Sequence, residues 1–335
     1  MSEPTIVRST RGSRIAASAV LVLVAAIAAA PWWANSADLR LITEILFFLA
    51  LASMWNLLAG YAGLISVGQH AYVGLGGYMM FSCVLFWGMN PLWSIPLAGL
   101  LAAAVSVPVA WLVFRLKGAY FAIGTWVVAE VFRLLAAQMS SLGGGSGLSI
   151  PVSAMRALGG RTERELLIYF TAFALSLGTL LLIWLVLRSR VGLALTAIRD
   201  NEVASSSLGV RIGRIKLGVY VLVAALTAML GALIFVTKLR ISPDAAFSMN
   251  DWTVFVIFIV VIGGIGTLEG PIIGTLLYFL LREFLADLGA VYLLILGAMA
   301  IAIMLVAPRG LWGLIVTKWD FAVFPVGYRV RMPRD

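Results

Sequence analysis

Few residues in this chain could do chemistry, and most of those lie in strongly apolar surroundings. Glu130 and Arg133 are three apart, a spacing that puts both on one helical face where each can neutralise the other. Glu44 stands alone in an apolar run, and Arg282, Glu283 and Asp287 gather near the end of another. Ionisable groups inside a membrane-spanning run are expensive and mark either function or pairing. Glu44, Arg282 and Asp287 also have the reach to carry their charge to an interface. Glu130 is the one deep carboxylate, so a proton-driven carrier has a single candidate, and a cation stands beside it. His70 is the only histidine and Cys83 the only cysteine, which excludes an intrachain disulfide and leaves little room for histidine-based catalysis. The chain has no HExxH, no paired metal-ligand motif and no serine elbow. The GGGSG run at 143–147 is not followed by the GK[ST] of a phosphate-binding loop, nor does that tripeptide occur elsewhere. The chain therefore reads as a non-enzyme, with no catalytic residue, metal or cofactor of its own.

The elements that must hold these residues are membrane helices. Of the 335 residues, 62% are apolar and 12% charged, and the apolar runs repeatedly reach the length of about 20 residues that spans a bilayer. Mean hydropathy is +1.04. The runs are apolar throughout rather than alternating, which excludes a β-barrel. The expected fold is all-α and polytopic, with about ten spans: Ile15–Trp33, Leu41–Leu58, Leu64–Trp87, Leu92–Phe114, Tyr120–Met139, Leu166–Leu187, Leu217–Val236, Trp252–Ile265, Pro271–Leu288 and Ala290–Val306. Pro31 and two tryptophans mark an interface after the first run, which favours an uncleaved first helix over a signal peptide. The net charge of +9 follows topology rather than nucleic-acid binding. Basic residues collect at Arg115 and Lys117, at Arg188 and Arg190, and in the C-terminal tail, so both termini are expected in the cytoplasm. The layout is then a cytoplasmic tail over 1–14, a membrane domain over 15–307 with an external loop at 140–165, and a cytoplasmic tail over 308–335.

Two stretches are dense in glycine within the membrane zone. One carries Gly60, Gly63, Gly68, Gly74, Gly76 and Gly77; the other carries Gly263, Gly264, Gly266, Gly270 and Gly274 beside Pro271. Glycine lets helices approach closely and also interrupts them near translocation paths. Ser66, Gln69 and His70, with Asn56 just before, tip the first stretch towards a path lining; Gly63, Ser66, Gly68, Gln69, His70, Gly74, Gly77 and the deep Glu130 are the path candidates. A polar, basic loop at 188–216 lies between two apolar runs. Ala194–Leu208 reads as a short helix with Arg199 and Glu202 three apart and Gly209 suited to a left-handed cap. Its small residues Ala204 and Ser205–Ser207 suit insertion into a groove of a soluble partner. An interfacial helix held by anionic lipid through Arg211, Arg214 and Lys216 is the other reading of the same residues.

The loop AIRDNEVASSSLGVRIGRIKLGVYVLVAALTAMLGAL resembles the coupling loop of the LivM-type permeases of branched-chain amino acid ABC importers. GLISVGQHAYVGLGGY, GAYFAIGTWVVAEVFRLL, GGGSGL, GGIGTLEGPIIGTLL and APRGLWGL are similar to further landmarks of that family, in order, over roughly residues 40–315. The chain departs from the pattern at Leu142, at Gln69-His70 and at Tyr72. The resemblance implies a type II-like importer half in the bacterial inner membrane. Its partners would be a second, LivH-like permease, two ATP-binding subunits, an external binding protein and membrane lipid, with no nucleic acid. ATP and Mg would be used by the partner ATPases alone. Arg199, Asp200, Glu202 and Gly209 would couple the chain to them. Urea, amide or other amino-acid importers of the same family are alternatives, and a stand-alone secondary transporter or channel is the alternative of a different class.

Overall fold

The computed structural model describes residues 5–7, 11–156, 158–285, 288–289, 291–307, 309–319, 324 and 329–331. Asp287, Arg8, Arg334 and parts of both predicted tails lie outside them. The helices in chain order are α1 (Arg11–Ala28), α2 (Ser36–Asn56), α3 (His70–Trp87), α4 (Pro91–Val113), α5 (Ala119–Gln138), α6 (Val152–Arg156), α7 (Arg161–Arg188), α8 (Arg190–Asp200), α9 (Glu202–Ser207), α10 (Ile212–Lys238), α11 (Pro243–Ala246), α12 (Phe255–Gly263), α13 (Gly270–Leu285), α14 (Val291–Val306) and α15 (Gly310–Trp319). Among the described residues, two short antiparallel ladders accompany the helices: β1 (Thr5–Val7) with β4 (Arg329–Arg331), and β2 (Leu148–Ser149) with β3 (Arg240–Ile241).

Helix boundaries follow local chemistry. Asn35 opens α2 by accepting from the backbone N–H of Ala37 and Asp38. Asn90 caps α4 the same way, with Pro91 pre-set for the first helical position. At the start of α7 the Glu163 carboxylate accepts from the Gly160 N–H at 2.9 Å.

Among the described residues, 7 helical stretches are long and apolar enough to cross a membrane: Ser36–Tyr61, Pro91–Val113, Ala119–Gln138, Arg161–Arg188, Ile212–Lys238, Pro243–Gly263 and Val291–Val316. The fold is thus all-α, polytopic and multi-pass. The remaining predicted spans are helical but weaker. In α1 the apolar part is Ser18–Ala28. In α3 His70 and three glycines dilute an 18-residue helix, and α13 has 16 residues.

Two spans are interrupted inside the membrane zone. The predicted helix from Leu64 begins only at His70: α2 ends in a π-helical turn, Leu57–Tyr61, and residues 62–69 are irregular before α3. A second π-helical turn, Met249–Val254, precedes α12. Both place backbone off the regular ladder next to buried polar side chains, the situation in which broken helices are tolerated.

α10 forms the axis of the molecule, buried on most of its surface and packed against α3 and α4, while α2 packs on α7, α12 and α13. The core at one end is aromatic: Phe48, Phe255, Tyr278 and Phe279 interlock at centroid distances of 5.1–6.4 Å. That end also holds the first turns of α2 and α7 and the last turn of α10. The opposite end holds the π turn of α2, the 188–216 loop and the Gly263–Gly270 connection.

Candidate functional site

The two glycine-dense stretches meet at the second of these ends, and Asn56 joins them. Its Oδ1 accepts from the Gly266 N–H at 2.8 Å and its Nδ2 donates to the Thr267 carbonyl at 2.7 Å. The side chain is 2% exposed, so both bonds are made away from water. Gly60 fits only because it has no Cβ: one would lie 2.5 Å from both Asn56 Oδ1 and the Gly266 N. Gly266 has φ +76°, a left-handed conformation that costs glycine nothing. Asn56 was legible in the sequence as a polar residue near the path candidates; its role as a clamp was not, because its partners lie over 200 residues away.

The 188–216 loop is wired directly to this junction. Arg199 donates to the Gly60 carbonyl at 2.9 Å and to Asp200 at 3.1 Å. The expected single helix over Ala194–Leu208 is two helices, α8 and α9, broken at Asn201. Asn201 adopts φ −156°, ψ 104°, and its side chain accepts from the Ala204 N–H, so it starts a new helix instead of continuing the old one. The break separates the expected Arg199/Glu202 pair: Arg199 turns into the membrane part, and Glu202 pairs with Lys216 at 3.0 Å. Gly209 takes the expected left-handed conformation, φ +82°, and closes a Schellman turn through the Gly209 N–H to Ser206 and the Val210 N–H to Ser205. Val203 and Leu208 remain 77% and 82% exposed on this loop.

The path candidates form one connected layer above the junction. Gly63 lies beside the Arg199 backbone. Ser66 accepts from Trp55 Nε1 through its carbonyl at 2.7 Å. Gly68 and Gly74 sit against Thr125 and Phe247, and Gly77 against Phe235 and Ile241. Gln69 donates to the Leu51 carbonyl and to Thr227, and the His70 ring meets Thr253 at 2.8 Å. Gln69 Oε1 is buried and has no hydrogen-bond partner among the described residues. Glu130, on α5, pairs with Arg133 as its spacing predicted, and Arg133 also binds Asp244 at 2.7 Å.

At the aromatic end a cavity of about 830 Å³ opens between the first turns of α2 and α7, the end of α10, the π turn before α12, and α13 and α14. Its walls carry Arg40, Glu44, Arg161, Arg164, Glu165, Lys238, Asp251 and Arg282. Arg40 binds Glu165 at 2.7 Å with Arg161 at 3.5 Å, and Arg282 binds Glu44 at 2.6 Å. Glu44 and Arg282, expected near an interface, are therefore partners across α2 and α13. Lys238 and Asp251 attracted no attention in the sequence, since each follows or precedes an apolar run as ordinary interfacial charges do. Among the described residues no group of three or more His, Cys, Asp or Glu is placed to hold a metal ion.

Comparison with known proteins gives a consistent result. Residues 38–305 match the family described as "Branched-chain amino acid transport system / permease component". The "High-affinity branched-chain amino acid transport system permease protein LivM" of Escherichia coli (strain K12) is 29% identical over 331 residues, covering 92% of this chain and 77% of that protein. The protein of the same name from Salmonella typhimurium is 28% identical with the same coverage. No solved structure matches.

Proposed function

Because the chain belongs to the branched-chain amino acid transport system permease family, we propose that it carries leucine, isoleucine or valine across the bacterial inner membrane as the permease subunit of an ATP-driven importer. The observation that carries this reading is the wiring of the loop: Arg199 runs from a solvent-facing helix pair to the junction of two interrupted spans. A push on α8 and α9 from outside the membrane therefore acts directly on the backbone that would close or open a path. The exposed Val203 and Leu208 give a soluble partner an apolar grip on that loop.

In this reading the chain has ten crossings with both termini in the cytoplasm, which the β1–β4 pairing supports by bringing the tails together. The coupling loop spans 188–216 and the external loop 140–165. Partners are a second LivH-like permease, two ATP-binding subunits whose ATP and Mg do the chemistry, and an external binding protein. Asp200, Glu202 and Gly209 shape the docking loop, and Arg199 passes its motion inward. The path runs along Gly63–Gly77, and the Gln69 Oε1, unpaired among the described residues, supports that placement. A buried acceptor without a donor costs about 1–3 kcal/mol unless another state supplies one.

The test is uptake of radiolabelled leucine by cells lacking their own leucine importers and expressing this chain with its neighbouring subunits, with affinity capture in parallel. Leucine uptake that depends on ATP, and capture of two ATP-binding subunits and a second permease, is the expected result. Uptake of urea but not leucine, or capture of the chain alone, would overturn the reading.

A further inference from the structure

Resting on that reading, we propose that the cavity at the aromatic end is a transient binding site for the free amino-acid zwitterion on its way in: the α-carboxylate sits on Lys238, the α-ammonium on Asp251, and the apolar side chain on Phe48 and Phe255. The charges on the cavity wall do not balance among themselves. Once its ion pairs are formed, Lys238, Arg164 and Asp251 are left without an ion-pair partner among the described residues.

Lys238 ends α10, and its ammonium lies 4.5 Å from the centre of the Trp252 ring. A cation held over a ring face keeps donors pointing away from it, free for a carboxylate. Asp251 belongs to the same π-helical turn as Trp252, so one short segment presents the aromatic seat of the cation and the free carboxylate together. Below them Phe48 and Phe255 form an apolar floor, their rings 6.4 Å apart. A cation, Lys238, and an anion, Asp251, over an apolar floor in one cavity match a zwitterion with a hydrocarbon side chain. A neutral amide would leave both charges unmet, and a plain hydrocarbon would meet only the floor. Arg164, also lining the cavity, adds positive potential that steers the carboxylate end inward. The volume, about 830 Å³, lies within the range of small-molecule sites and holds an amino acid with several waters. Such a wet, loosely filled site binds weakly, as a relay must if the substrate is to leave it.

The test uses the assembled permease in phosphatidylglycerol nanodiscs, titrated with three radiolabelled ligands: leucine, 4-methylpentanoate, which lacks the amino group, and 3-methylbutylamine, which lacks the carboxylate. Lys238→Gln should weaken leucine and 4-methylpentanoate by about tenfold or more, the loss of one charge-assisted hydrogen bond, and leave the amine unchanged. Asp251→Asn should weaken leucine and the amine by a similar factor and leave the acid unchanged. Equal weakening of all three ligands, or of none, would overturn the site. Should either variant fail to assemble, the unaltered protein still decides: leucine must bind more tightly than either truncated ligand, and equal binding overturns the proposal. A zwitterionic lipid headgroup carries the same two charges, so displacement of leucine by added phosphatidylethanolamine would assign the cavity to lipid instead. Leucine uptake by the complete importer, measured alongside, separates the two levels. Uptake without leucine binding here removes the site and leaves the transport function; absence of leucine uptake removes the transport function itself.

Discussion

The two ends of this permease are built from opposite materials. At the junction of Asn56, Gly60 and Gly266 the contacts are backbone against backbone, with glycine supplying the closeness and one buried amide supplying the bonds. At the cavity end, long charged side chains reach across open space, with Arg282 and Glu44 42% and 39% exposed in their pair. A close-packed joint without spare volume has few arrangements available and passes on displacement. A roomy, charged vestibule tolerates rearrangement and sorts by charge. The difference matches the work each end would do, with force entering at the junction and substrate at the cavity.

The contrast can be broken most severely at Gly60. Gly60→Val should remove most assembled protein, since overpacking costs about 1–3 kcal/mol per added clash and here the neighbours are backbone and a clamped amide. Fluorescence-detected size exclusion and a melting curve read the loss, and an unchanged melting point would show the junction to be soft. Next, Asn56→Ala leaves the Gly266 N–H and the Thr267 carbonyl without partners, at about 1–3 kcal/mol for each buried group. We expect a protein that still inserts but melts several degrees lower, by about 2–4 °C per kcal/mol in larger domains, and transports poorly. Asn56→Asp, which keeps the acceptor alone, should fall between. Arg199→Gln sharpens the comparison functionally: leucine uptake should drop by about tenfold, the loss of one charge-assisted bond, while ATP hydrolysis by the assembled importer continues. Equal loss of both activities would mean that Arg199 only holds the complex together. The smallest effect belongs to the cavity end, where Glu44→Gln should shift stability by only about 0–1 kcal/mol, as for a half-exposed ion pair. A shift as large as that of Asn56→Ala would erase the distinction between the ends.

Sequence alone reveals the membrane helices because each reports itself through a local run of apolar residues, as Arg161–Arg188 and Ile212–Lys238 do. The Glu130–Arg133 pair and the left-handed Gly209 were equally legible, since both are short-range features. The break at Asn201 had a signal that smooth helical periodicity hid: an Asn followed at once by Glu is a strong start for a new helix. What stayed hidden was every contact between distant segments. The cavity draws its charges from four helices and a π-helical turn, and no local pattern pairs Glu44 with Arg282 or sets Lys238 over Trp252.

The Asn56 clamp also sets a clock on how this protein is made. Its partners are 210 and 211 residues further along the chain. With synthesis at about 5–20 residues per second, Asn56 waits roughly 10–40 s inside the membrane before Gly266 and Thr267 emerge. Through that interval a bare amide sits among lipid or makeshift partners, and α2 has α7 to pack on but not yet α13. The joint therefore closes late in biogenesis, when the last helices arrive, and chains cut short before Thr267 should be substrates for quality-control proteases rather than stable fragments.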